Sequence, residues 1–140
     1  MRRLFLIVAL FLTGCAAHYD RAGNYNNYTL TAPQAGQVAQ NVATELARRY
    51  PARTVFSFPH DRSNVFSSAL ESAIRETGRG VTQDVSPGLH RLKYRLSYLN
   101  SHQFFIMTTV NQQHFQMLWS DDDGILTRLQ TITQYEATHE

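Results

Sequence analysis

The sequence predicts an α+β fold, αβαβ followed by an antiparallel β-meander, with the helices packed on one face of a mainly antiparallel sheet. Three observations predict it. Two segments, 35–50 and 66–77, carry apolar residues at the helical period. A short run of β-branched and aromatic residues follows each of them. From residue 91 onward the pattern becomes strict alternation, broken by clusters of turn-forming residues.

The first helix is marked by Ala35, Val38, Ala39, Val42, Ala43, Leu46, Ala47 and Tyr50, a continuous stripe at i, i+3, i+4, i+7 and onward. Thr31 and Gln34 have capping-box spacing, Pro33 suits the first turn and Pro51 ends the run. Arg48 and Arg49 complement the negative end of the helix dipole. The alanines predict close packing against a sheet. Arg53 to Phe58 then reads as a strand that Pro59 breaks, and Asp61 or Ser63 can cap a second helix. Phe66, Ala69, Leu70, Ala73, Ile74 and Thr77 form its stripe, and Gly78 is a natural left-handed stop.

Gly80 to Val85 resumes as a strand, up to the Pro87-Gly88 turn. Leu92, Tyr94, Leu96 and Tyr98 alternate with Arg91, Lys93, Arg95 and Ser97, giving one apolar and one basic face. Turns at 100–102, 111–113 and 121–124 separate the strands that follow, over 104–110, 114–120 and 125–133. Leu46, Phe56, Leu70, Ile74, Tyr94 and Leu96 are the expected core.

Ahead of this domain, placed at 31–135 with a tail at 136–140, the chain changes character. Arg2 and Arg3 precede a nine-residue apolar run, Leu4 to Leu12. A membrane-spanning helix needs about 20 such residues, so the run has the length of a signal-peptide core. The following Leu12-Thr13-Gly14-Cys15 resembles the lipobox of bacterial lipoproteins. That resemblance implies a signal over 1–14, cleavage before Cys15, and acylation of Cys15. Cys15-Ala16-Ala17 also loosely fits an ordinary secretory signal cut after Ala17. Both readings export the chain, and they differ in whether acyl chains keep it on a membrane. Ala16 in place of the Asp of inner-membrane lipoproteins implies, by resemblance, the outer membrane. Cys15 is the single cysteine, so no intramolecular disulfide can form.

Residues 15–30, with Gly23, Asn24, Asn26 and Asn27 among three tyrosines, show no period and read as a flexible tether. Tyr25 and Tyr28 are its candidate partner anchors. Arg91, Lys93 and Arg95 read either as the solvated face of a half-buried strand or as a docking stripe for an acidic partner. Removing Arg2 and Arg3 with a signal leaves eleven basic residues against eleven acidic ones. A neutral mature chain lacks the positive field of a nucleic-acid binder.

Constellations that carry chemistry are missing. Asp121-Asp122-Asp123-Gly124 lacks the alternating ligands and distal Glu of a calcium loop, so a hairpin turn explains it. The six histidines show no zinc spacing, and those in turns, such as His60 and His102, read as solvated. No nucleophile elbow or nucleotide-binding loop occurs. The expectation is a non-enzymatic chain with no metal and no cofactor.

The parts together resemble the TrbH family of conjugal-transfer lipoproteins. The residues that carry the likeness are the lipobox, the alanine-rich stretch Val38 to Tyr50, and Tyr50-Pro51-Ala52-Arg53-Thr54. The helix Val65 to Thr77 and the strand at Val81 complete it. The resemblance runs over residues 1–85 and implies a structural part of a mating-pair formation apparatus, a type IV secretion system in the cell envelope. Other envelope proteins and a ring-shaped oligomer are the implied partners, with the membrane reached through the lipid and the domain facing the periplasm. The runner-up is an accessory lipoprotein of another envelope system, such as a secretin pilot or pilus assembly factor. A membrane-anchored hydrolase is a third class.

Overall fold

The first helix, α1 (Ala32–Arg49), starts where its capping box places it. Gln34 N donates to Thr31 Oγ1 at 3.3 Å, and Thr31 N donates back to Gln34 Oε1 at 3.0 Å. The computed structural model describes residues 18–136, with side chains described to residue 129. Expectations for residues 1–17, Cys15 among them, and for 137–140 lie outside the described residues.

The second helix, α2 (Val65–Glu76), is capped by Asn64, whose Oδ1 accepts from Ser67 N at 2.9 Å. The two residues expected to cap it bond to each other instead. Ser63 N and Oγ both donate to Asp61 Oδ1, at 2.9 and 2.7 Å, which closes a turn one residue before the helix. The helix ends at Gly78, in the left-handed region at φ +83°.

Seven strands form one sheet: β1 (Tyr25–Asn27), β2 (Val55–Ser57), β3 (Gly80–Thr82), β4 (His90–Asn100), β5 (Gln103–Val110), β6 (Gln113–Asp122) and β7 (Ile125–Glu136). The main order is β3-β2-β4-β5-β6-β7. From β4 onward it is the expected antiparallel meander. Asp123 and Gly124 turn its last hairpin at φ +51° and +89°, the signs a two-residue hairpin loop requires. β2 and β3 run parallel because α2 crosses between them. One edge of β4 is shared: β2 lies parallel beside His90 and Arg91, and β1 lies parallel beside Arg95 to Ser97. The fold is α+β.

Register sorts the side chains. Leu92, Tyr94 and Leu96 face Val110, Thr108 and Ile106 across the sheet, and Phe115 and Met117 continue the row. All are buried under the two helices, with Phe104 and Trp119 beside them. The six expected core residues are at most 3 % exposed. Burying each such side chain contributes about 1.5–3 kcal/mol. Arg79 locks the layers together: its guanidinium donates to Ala47 O at 3.0 Å and Tyr50 O at 2.8 Å, satisfying carbonyls at the end of α1.

Candidate functional site

Asp20 organises the residues that precede β1. Its Oδ1 accepts from Ala22 N and Asn24 N, both at 2.9 Å, and Gly23 takes φ +89°. The result is a tight hairpin in which Tyr19 pairs antiparallel with Tyr25 and Asn26 N donates to His18 O at 2.8 Å. A flexible tether over 18–30 is therefore not what the structure contains. The segment is packed on the domain, because the edge of β4 beyond β2 offers it unpaired backbone groups.

Asn24 holds the hairpin there. It is fully buried, and its amide donates to Asp20 Oδ2 at 2.8 Å and Pro59 O at 3.0 Å. Its Oδ1 accepts from Tyr94 N at 3.2 Å. Two residues along, Asn26 Oδ1 accepts from the Tyr94 hydroxyl at 2.8 Å, and that hydroxyl also bonds to Ser67 of α2. Burial pushes the Tyr94 phenol up to about 12. Tyr28 stacks on Phe104 with ring centroids 4.3 Å apart, and donates to Asp121 Oδ2 at 2.6 Å. Burial, then the Asp121 carboxylate, raise the Tyr28 phenol to about 12 as well.

The five side chains proposed from sequence as partner contacts converge here, but four contact their own chain. Arg95 lies 4.3 Å over the Tyr25 ring. Arg91 donates to Ala22 O at 2.9 Å and Leu92 O at 3.0 Å. Tyr28 is engaged as described, and Lys93 is exposed. The stripe of Arg91 and Arg95 thus serves the hairpin. Alternation predicted their face, but nothing local in the sequence pairs residue 25 with residue 95.

Beside the hairpin lies an open cleft of about 840 Å³, lined in part by Tyr19, Arg21, His60, Asp61, Gln83 and Arg91. His60, expected to be solvated, is not. Its side chain is wholly buried, tilted 31° against Phe58 with ring centroids 4.6 Å apart, with neither ring nitrogen hydrogen-bonded. Pro59 precedes it, and Pro59 O accepts from the Asn24 amide of the hairpin at 3.0 Å. Glu71 Oε2 stands 3.7 Å from Nε2, and burial keeps the ring from anything in the cleft. Asp121, in the acidic cluster, accepts from Gly124 N at 2.9 Å as well as from Tyr28, so it serves the turn. Among the described residues no group of three or more His, Cys, Asp or Glu could hold a metal ion.

The remaining surface is the face of the sheet opposite the helices. Lys93 is exposed there, and Phe105, Met107, Gln116 and Leu118 are half-buried, with neither helix over them. Their arrangement suits contact rather than catalysis. Among the described residues no helix is long and apolar enough to cross a membrane.

Comparison with protein families decides the kinship, because the model of the conjugal transfer protein TrbH matches residues 18–134. The chain belongs to the TrbH family. The match starts at the hairpin and runs through the meander into β7, so it extends past the residues 1–85 on which the sequence resemblance rested. Kinship with TrbH makes this chain a component of conjugal transfer. No curated protein and no solved structure gives a significant match.

Proposed function

We propose that this TrbH-family chain is a lipid-anchored, non-enzymatic structural component of a conjugative type IV secretion apparatus. Its signal, 1–14, directs export, and acylated Cys15 holds the domain on the outer membrane, facing the periplasm. It works there as one unit of a ring-shaped assembly with other envelope proteins. The family match over residues 18–134 carries this reading. The lipobox-like Leu12-Thr13-Gly14-Cys15, three residues ahead of the match, supports the anchor.

Two further observations support a scaffold. His60 lines the cleft but its ring is wholly buried, and the seryl hydroxyl of Ser67 is buried against Tyr94. The sheet face opposite the two helices, with Lys93 exposed and Phe105 and Leu118 half-buried, is then the surface for a partner. Tyr25 and Tyr28, half-buried and in contact with Arg95 and Asp121, are its secondary contacts. Anchoring raises the effective concentration of such a partner at the membrane without any new contact.

Deleting the gene in a donor should abolish transfer, and the wild-type gene should restore it. Phe105→Asp should restore transfer poorly at normal abundance, because a charge in a half-buried contact face repels a partner without emptying the core. Equal transfer frequencies with and without the gene would overturn the proposal.

A further inference from the structure

The chain enters the described domain at His18, on the outermost strand of the sheet's hairpin edge. Exposed apolar side chains surround that point. Tyr19 is 49 % exposed, Val65 at the start of α2 is 49 % exposed, and Val85 after β3 is 70 % exposed. Tyr19 and Val85 line the cleft on one flank of the hairpin, and His18 and Val65 line a second cleft on the other. Arg21 and Arg62 are exposed close by, and neither guanidinium has a hydrogen bond or ion pair to the described residues, although Arg62 O accepts from Ser68 Oγ at 2.8 Å. Asp20 and Asp61 are tied into their own turns, whereas Asp84 beside Val85 is exposed.

Length makes this edge matter. Only Ala16 and Ala17 lie between Cys15 and His18, so the two are three steps apart, and an extended chain spans at most about 3.3–3.6 Å per step. An acylated Cys15 therefore keeps His18 within about 11 Å of the bilayer interface. The domain has no slack to stand away. Strands lie about 4.7–4.9 Å apart, and among the described residues β4, β5 and β6 lie between β1 and β7, the last strand of the order. That far strand is thus about 20–25 Å from the strand carrying His18.

We propose that the edge bearing Tyr19, Arg21, Arg62, Val65 and Val85 rests on the lipid headgroups, so that the sheet stands edge-on and β7 points away from the membrane. The proposal rests on acylation of Cys15. Tyr19 and the two valines enter the interface, the arginines reach the phosphates, and the anchor confines the domain to this contact. Partners then approach from the β7 side and the open sheet face.

The test uses the full acylated protein in vesicles of phosphatidylethanolamine and phosphatidylglycerol. With Cys15 blocked by lipid, a thiol introduced by Val65→Cys, Val85→Cys or Thr127→Cys takes a nitroxide label alone. Collision of the label with a water-soluble nickel complex should fall sharply at 65 and 85 on vesicle binding and stay unchanged at 127. Unfolding midpoints check that each variant is folded. Vesicle-bound, acylated protein in which all three labels remain equally accessible would overturn the orientation and leave the anchor standing. Protein of unacylated mass that fails to sediment with vesicles would overturn both.

Discussion

Asn24 shows how much can rest on one amide. Replacing it with Ala leaves Tyr94 N and Pro59 O buried without their partner, at about 1–3 kcal/mol for each group. The Asn24→Ala urea midpoint should drop accordingly, and a change under about 0.5 kcal/mol would refute the role. Tyr94 adds a pH dependence. Its folded phenol is raised to about 12 from an ordinary value of 10.0. The native state thus holds a proton that the unfolded chain gives up first, and stability present below pH 10 is lost as pH rises toward 12. Tyr94→Phe should start lower, because Ser67 and Asn26 lose a partner, and should decline less over that window. Neither residue stands out in the sequence. Asn24 reads like Asn26 and Asn27, since its burial depends on residues 59 and 94. His60 misleads for the same reason, a turn residue by its neighbours whose ring is buried against Phe58 and near Glu71.

At the scale of elements, legibility follows the range of the determining contacts. The start of α1 is readable because Thr31 and Gln34 cap each other within one turn. The meander is readable because alternation persists over eight or more residues per strand. β1 is not readable: three residues in parallel register with β4 leave no local period. That matters for where the domain begins. A chain starting at Thr31, the boundary set by composition, lacks Asn24, the Tyr28–Phe104 stack and buried Leu30. It should unfold at markedly lower urea than one starting at His18, and equal midpoints would show the hairpin to be dispensable. Tyr25→Ala with Tyr28→Ala should likewise weaken the fold, so any lost partner recovery must be corrected for folded fraction. Within the helices, fully buried Leu70 is the sharper probe. Leu70→Ala should cost roughly 2–5 kcal/mol in denaturant unfolding, as cavity-forming core changes do.

The whole molecule divides its surfaces by use. Among the described residues, helices fill one face of the sheet, the hairpin closes the exposed edge of β4, and neither helix lies over the opposite face and no strand pairs with the outer edge of β7. Open strand edges and half-buried apolar faces invite pairing, which suits a protein that works inside an assembly. Balanced charge after removal of Arg2 and Arg3 fits a protein partner better than nucleic acid. All of this bears on function only if the chain is held at a membrane. Intact mass spectrometry of the protein extracted from donor-cell membranes tests that most directly. The expected result is a single species lacking residues 1–14 and carrying diacylglycerol and an amide-linked acyl chain on Cys15. A species cut after Ala17 and free of lipid, recovered in the soluble periplasmic fraction, would contradict it.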